Sequence, residues 1–192
     1  MKKILIVNGH PDKESYCAAL CEAYALGAKK NKALEVKTLH LIDLTFDPIL
    51  HYGYKKRTEL EPDLIRAQQL LKEADHTVWV YPTWWGGLPA LLKGFIDRVF
   101  LPGFSFKYRE NSQLWDKLMK GKTTRVITTM DAPLWYYRIV YGSPGHKAMK
   151  RVILGFCGYK ARFATIGGMK TKSTLSLERW LKKVAILGEA GG

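Results

Sequence analysis

Four consecutive apolar residues, Ile4-Leu5-Ile6-Val7, stand almost at the start of the chain with nothing polar between them. A strand with one face in water alternates apolar and polar residues, so an unbroken run suits a strand covered on both faces, as in a parallel sheet. Further strand-like segments fall at 34–39, 76–81, 123–129 and 160–167. Helical patterns lie between them. One runs over about 15–30, and a second, over 59–74, carries Leu60, Leu64, Ala67, Leu71 and Ala74. A third repeats through Leu88, Leu91, Leu92, Phe95, Ile96 and Val99, and a final one through Leu177, Trp180, Leu181, Val184 and Leu187. Residues 133–156 are helix-prone but irregular, 45–58 read as a loop punctuated by Pro48 and Gly53, and 189–192 read as a frayed tail. Strands interleaved with helices predict an α/β fold: one doubly wound, five-stranded parallel sheet with right-handed crossovers and helices on both faces. No repeat or low-complexity linker divides the chain, and 192 residues suit one domain, 1–192.

Five such units allow the flavodoxin-like order 2-1-3-4-5, in which ligands bind where the order reverses, at the carboxyl ends of strands one and three. The first strand empties into Gly9-His10-Pro11-Asp12-Lys13-Glu14-Ser15-Tyr16-Cys17, with Ser15 near a helix cap. A helix start offers unpaired N–H groups and partial positive charge, and so accepts phosphate. Neither a Walker A lysine motif nor G-x-G-x-x-G is present, which excludes a P-loop and a typical dinucleotide fingerprint. The third strand empties into Pro82-Thr83-Trp84-Trp85-Gly86-Gly87, where glycine permits close approach of a ligand and tryptophan suits a flat one. Read singly, each loop is as well explained by ordinary capping or packing. Read together at the reversal point, they fit a flavin nucleotide.

The net charge of +14 is uneven: residues 1–96 hold 13 Lys/Arg against 11 Asp/Glu, and residues 97–192 hold 18 against 6. The cations are scattered through helices and strands, and no zinc-finger or RNA-binding signature accompanies them, so attraction of anionic small molecules is a more economical reading than specific nucleic-acid binding. Three cysteines, Cys17, Cys21 and Cys157, fit a reducing compartment, and the short N-terminal apolar run ends at Asn8 without forming a secretory segment. A cytoplasmic protein without membrane insertion is expected. No metal-ligand cluster is evident.

These loops carry a family resemblance. His10-Pro11 followed by Ser15-Tyr16-Cys17-Ala18-Ala19-Leu20, the segment Tyr81-Pro82-Thr83-Trp84-Trp85-Gly86-Gly87-Leu88-Pro89-Ala90, and its continuation Leu92-Lys93-Gly94-Phe95-Ile96-Asp97-Arg98-Val99-Phe100 resemble the NAD(P)H dehydrogenase (quinone) family of flavodoxin-like flavoproteins, which includes the DT-diaphorases. Phe104-Ser105-Phe106-Lys107-Tyr108 and Phe156-Cys157-Gly158 match further family segments, so the likeness spans most of the chain up to about Gly168. The resemblance implies that His10, Ser15, Tyr16 and Cys17 contact the cofactor's phosphate portion and that Pro82, Thr83, Trp84, Trp85 and Gly86 lie along its ring. Phe106 and Tyr108 would wall the substrate pocket. After the fourth strand many members carry Thr-Thr-Gly-Gly, whose main chain meets the ring's polar edge; here Thr128-Thr129-Met130-Asp131 stands instead, placing Thr129, Met130 and Asp131 at that edge. A tyrosine and a histidine assist hydride transfer in the family, with Tyr136, Tyr137, Tyr141 and His146 as candidates here; Tyr137, Tyr141 and His146 are carried forward as catalytic.

The implied activity is two-electron, ping-pong reduction of quinones or related flat electrophiles by NAD(P)H through bound FAD, with FMN as the alternative cofactor. The implied assembly is a homodimer with sites near its interface. The rival function, from another class, is a flavin-bearing accessory subunit of a membrane transport system, which would keep the same loops.

Overall fold

The computed structural model describes all 192 residues. In chain order they form β1 (Lys2–Asn8), α1 (Tyr16–Lys30), β2 (Leu34–His40), α2 (Pro62–Glu73), β3 (His76–Pro82), α3 (Ala90–Val99), β4 (Phe106–Tyr108), β5 (Trp115–Lys117) and β6 (Thr123–Thr129). Two short helices, α4 (Leu134–Ile139) and α5 (Pro144–Lys147), lead into a π-helical segment (Ala148–Leu154) and α6 (Gly155–Cys157). β7 (Lys160–Ile166) and α7 (Thr174–Glu189) complete the fold. The main sheet is parallel throughout in the order β2-β1-β3-β6-β7, which is the expected 2-1-3-4-5.

The apolar run of β1 serves two cores. Leu5 and Val7 join Trp79, Tyr81 and Val126 under α2 and α3, where Leu64, Leu71, Phe95 and Val99 pack. Ile4 and Ile6 join Val78, Val80 and Ile127 on the opposite face, under Leu20 and Tyr24 of α1 and Val184 of α7. Each such side chain, fully buried, contributes roughly 1.5–3 kcal/mol of transfer free energy. The α1–α7 contact is backbone against backbone: a Cβ at Gly27 would lie 1.9 Å from the Ala185 carbonyl oxygen, and one at Gly188 would lie 2.1 Å from that of Tyr24. Only glycine permits this spacing.

The long connection between β2 and α2 is tied down by one buried guanidinium. Arg98 of α3 is 1% exposed; it pairs with Glu61 at 2.8 Å and donates to the carbonyls of Asp47 and Glu59.

The 133–156 region is helical and irregular, as expected, in four pieces of changing pitch. Two features depart from the sequence reading. The antiparallel hairpin β4–β5 was not anticipated, because its strands are three residues long and include Lys107, Asp116 and Lys117. The 189–192 tail is docked: Gly191 is buried and its carbonyl accepts from Lys2 Nζ at 2.6 Å, while the Glu189 carbonyl accepts from Asn31.

Candidate functional site

β3 and β6 run side by side to Pro82 and Thr129, and the Thr83 N–H then donates to the Thr129 carbonyl at 2.7 Å, keeping the two emerging loops together. Beyond that stitch the chain opens a cavity of about 800 Å³, lined by Pro82, Thr83, Trp84, Trp85 and Gly86 on one side and by Thr129, Met130, Asp131 and Ala132 on another. Tyr137, Tyr141, Pro144 and Met169 complete it. A cavity this size at the carboxyl ends of a doubly wound sheet holds a cofactor-sized molecule.

The tryptophan loop turns on two residues. Trp84 and Gly87 exchange main-chain hydrogen bonds, and the residues between them, Trp85 (φ 50°) and Gly86 (φ 74°), both have positive φ. This is the geometry of a two-residue turn that favours Asn-Gly, so a tryptophan in the first position is held against its preference. The indole of Trp85 is fully exposed at the cavity's edge. Trp84 is braced by an edge contact with the His10 ring at 5.6 Å, which couples the first loop to the third. His10 Nδ1 accepts the Asp12 N–H at 2.9 Å, placing any single ring proton on Nε2; burial lowers its pKa against the opposing pull of Asp12.

The far wall is a set of struts. The Gly86 carbonyl accepts from the Gly145 N–H at 2.9 Å and from the Tyr137 hydroxyl at 3.3 Å, and that hydroxyl in turn accepts the His146 N–H at 3.2 Å. Tyr137 is 1% exposed, and burial raises its pKa. The His146 ring lies against those of Tyr137 and Phe163, its Nε2 3.1 Å from Thr128 Oγ1; burial, aided by Arg138, lowers its pKa to about 4. Of the three residues carried forward as catalytic, His146 does not line the cavity, Tyr137 lines it with its hydroxyl engaged, and Tyr141 stands exposed at the rim.

At the first loop, Ser15 caps α1: its Oγ accepts the Ala18 N–H and donates to the Asp12 carbonyl. The Tyr16 hydroxyl donates to the Leu177 carbonyl at 2.7 Å, and the Cys17 thiol, 2% exposed and raised by burial to about 11, lies 3.5 Å from Thr129 Oγ1. These side chains are therefore committed within the protein, and what the loop presents to a ligand is main chain. The N–H groups of Tyr16 and Cys17 open α1 and have no acceptor in the chain. The same holds for Trp85, Gly86, Asp131 and Ala132 around the cavity. Asp131 itself pairs with Lys170 at 3.5 Å, both exposed.

Phe106 and Tyr108 are not in this cavity. They line a second one of about 640 Å³ with Tyr54, Phe100, Ile153 and Phe156, where Phe106 makes edge contacts to Tyr108 and Phe156. Ala132, Pro144 and Met169 were missed from sequence. Met169 follows β7, and looking beyond strands one, three and four to the carboxyl end of the fifth would have found it.

The model of the flavodoxin-like fold family matches residues 2–184. NAD(P)H dehydrogenase (quinone) 1 of Cavia porcellus is 31% identical over 67% of this chain and 54% of its own length; the Rattus norvegicus protein of that name is 29% identical over 83% and 66%. The chain thus spans from about half to two thirds of the length of these relatives. Ribosyldihydronicotinamide dehydrogenase (quinone) of Pongo abelii is 30% identical, covering 83% of this chain and 78% of that protein. Among solved structures, Smu.1420 from Streptococcus mutans UA159 superposes with a TM-score of 0.83 at 28% identity, over 98% of this chain and 99% of that one. An NAD(P)H:quinone oxidoreductase from Methanothermobacter marburgensis shares the fold, with a TM-score of 0.80 at 21% identity over 98% and 96% of the two chains. With the sheet order, the cavity between β3 and β6 and a family match over nearly its whole length, the chain belongs to the flavodoxin-like fold family, in the branch similar to the NAD(P)H dehydrogenases (quinone).

Proposed function

We propose that this chain is an NAD(P)H-dependent oxidoreductase acting on quinones or related flat electrophiles through one flavin nucleotide. The observation that carries the reading is the cavity itself: indole rings at its edge, and unpaired main-chain N–H groups on the Trp85-Gly86 and Asp131-Ala132 segments that line it. The first turn of α1, with the N–H groups of Tyr16 and Cys17, supplies the phosphate end. When bound, a flavin accepts a hydride from the nicotinamide and passes two electrons onward. The protein binds and aligns. Trp84 and Trp85 flank the ring, Thr83 and Thr129 hold the two loops in register, and Tyr137 with His146 fixes the Gly86 carbonyl and hence the turn. His146 is neutral at pH 7 and its ring is sequestered, so its role and that of Tyr137 are positioning. Tyr141, exposed at the rim with no intrachain partner for its hydroxyl, is the residue free to reach a substrate oxygen.

FAD and FMN share the ring and the first phosphate, and the loops described here serve both. The absorbance spectrum of the purified protein and the mass of the released cofactor test the reading. A colourless chain that binds neither FAD nor FMN on titration overturns it.

The position of Phe106 and Tyr108 supports a homodimer. They lie outside their own chain's cavity, so they act on an acceptor only if a second copy brings them to it. Phe106→Ala and Tyr108→Ala should then reduce quinone turnover and leave the bound-flavin spectrum unchanged. Parallel double-reciprocal plots are expected, because donor and acceptor would use one pocket in turn. A fully active, flavin-loaded monomer by light scattering would refute the dimer, and intersecting plots would refute the shared pocket.

A further inference from the structure

The opposite end of the sheet, where the strands begin, carries a separate polar cavity. It encloses about 390 Å³, and its lining includes Lys2, His76, Thr123, Lys160 and Arg162, with Gly192 against the His76 ring. β6 runs from Thr123 to Thr129, so the cofactor cavity lies roughly 20 Å away. Alternation along the strands puts these side chains on one face. Ile4 and Ile6 share the side of Lys2, Val78 that of His76, and Ile127 and Ile166 that of Arg125 and Arg162; all five apolar residues pack under α1 and α7.

The cations on this face have no side-chain anion. Arg125 and Arg162 stand beside each other in register on β6 and β7, a placement that like charges oppose. Arg125 is 8% exposed, and its Nε has no hydrogen-bond partner. The groups acting on its charge are a neutral hydroxyl, that of Tyr24, and the Arg162 guanidinium. A guanidinium keeps its proton in proteins, so a buried one calls for a counterion. Neither Arg125 nor Lys2, Lys160 or Arg162 forms an ion pair. Carboxylates at this end of the sheet are engaged elsewhere: Glu35 and Glu73 pair with Lys37, Glu73 also with Lys3, and Asp75 accepts the Lys3 N–H. Lys2 gives one donor to the Gly191 carbonyl and keeps two. His76 is 2% exposed; its Nδ1 meets Thr123 Oγ1 at 2.7 Å, and its Nε2 has no partner.

We propose that this cavity is an anion site, separate from the cofactor's, for a small molecule carrying two or more linked phosphate groups. Its cations come from β1, β6 and β7, and β1 and β7 stand three strand spacings of about 4.8 Å apart. One tetrahedral anion is narrower than that row, whereas linked phosphates reach along it and accept from each guanidinium in a bidentate manner. They also supply the acceptor that His76 Nε2 lacks when it carries the ring proton. Bound there, the anion ties the edge strand β7 to β1 and offsets the repulsion between Arg125 and Arg162. The site needs neither flavin nor the redox reaction. A carboxylate ending the chain at Gly192 is the competing occupant, and it would leave an added anion nothing to neutralise.

The test is calorimetric titration of the full-length protein with magnesium-free pyrophosphate, first without FMN and then with FMN in excess. One saturable site per chain is expected in both cases, at least about tenfold tighter for pyrophosphate than for inorganic phosphate. Pyrophosphate at about 100 times its Kd should raise Tm by about 5–10 °C. Lys160→Gln with Arg162→Gln, both exposed, should weaken binding by about tenfold or more and leave Tm without anion no lower than the parent's. Lys182→Gln with Lys183→Gln, the same change of charge on the exposed side of α7, should leave binding unchanged. Absence of saturable binding overturns the proposal. So does equal affinity for phosphate and pyrophosphate, equal loss in the two variant pairs, or displacement by FMN, which would put the anion at the first turn of α1. A colourless protein that still binds pyrophosphate through Lys160 and Arg162 supports this site while refuting the redox function.

Discussion

Trp85 should lower the stability of the fold while raising its affinity for flavin, and Trp85→Asn separates the two. The backbone at this position is left-handed, at φ 50°, followed by Gly86 at φ 74°. A side chain other than glycine or asparagine pays about 1–2 kcal/mol for that conformation, and asparagine is favoured in this turn. The indole is fully exposed, so its replacement removes no core packing. The apoprotein should therefore gain about 0.5–1 kcal/mol, which for a chain of this size raises Tm by about 1–4 °C. Flavin binding should move the other way. Losing one aromatic contact worth about 0.5–1.5 kcal/mol weakens Kd by about 2- to 13-fold. The assay is thermal unfolding of the flavin-free protein together with fluorescence titration of flavin; bound ligand would otherwise mask the gain. Trp85→Phe, which keeps an aromatic ring and the backbone strain, should leave both quantities nearer the parent. A lower apoprotein Tm for Trp85→Asn, or unchanged flavin affinity, refutes the reasoning.

Glu61→Gln should cost about 3–5 kcal/mol in urea denaturation, because it leaves the buried Arg98 guanidinium without a countercharge; Arg98→Met, which removes the buried charge, keeps an apolar stem and leaves only the part-exposed Glu61 unpaired, should cost clearly less, and equal effects would contradict this account. His76 is 2% exposed, and burial with Lys2, Arg125 and Arg162 nearby lowers its pKa to about 4 from an unfolded value of 6.5. The unfolded state thus takes up the proton first, so the stability from His76 is complete above pH 6.5 and is lost as pH falls towards 4, by about 2 kcal/mol at pH 5. His76→Gln should flatten that part of the urea midpoint-versus-pH curve, and an unchanged slope would exclude the residue. Cys17, Cys21 and Cys157 are all buried, with thiol pKa values raised by burial, so none should react with a thiol reagent at pH 8 until urea is added; stoichiometric labelling of the native protein would disprove this.

What could be read from sequence was whatever rests on local pattern. The unbroken run Ile4–Val7 announced a strand buried on both faces, and Thr123–Thr129 was bounded correctly. The glycine-tryptophan loop stood out because its composition is unusual where a strand ends. Features that rest on distant partners were not legible. Nothing near Tyr16 indicates that its hydroxyl goes to Leu177, and nothing near Gly191 indicates Lys2, 189 residues away. The family resemblance made Tyr137 a catalytic candidate; its engagement with Gly86 and His146 depends on how α4 and α5 fold back over the turn. The segment Ala148–Leu154 mixes apolar and basic residues without a 3.6-residue period, and its π pitch leaves no signature in composition. Phe106 and Tyr108 were recognised as an aromatic pair, but their distance from the cavity could emerge only with the hairpin in place.

The glycine seam between α1 and α7 has a consequence for biosynthesis. α1 leaves the ribosome well ahead of α7, yet its Gly27 face and the Tyr16 hydroxyl find their partners on that helix, some 161 residues later. Until α7 emerges, α1 lacks the backbone surface it packs against, and Ile4, Ile6, Val78 and Val80 lie under an incomplete cover. A nascent chain therefore cannot finish the α1 face of the sheet piecemeal. Translation arrest or proteolysis before α7 should yield fragments that engage chaperones, not partly folded domains that persist on their own.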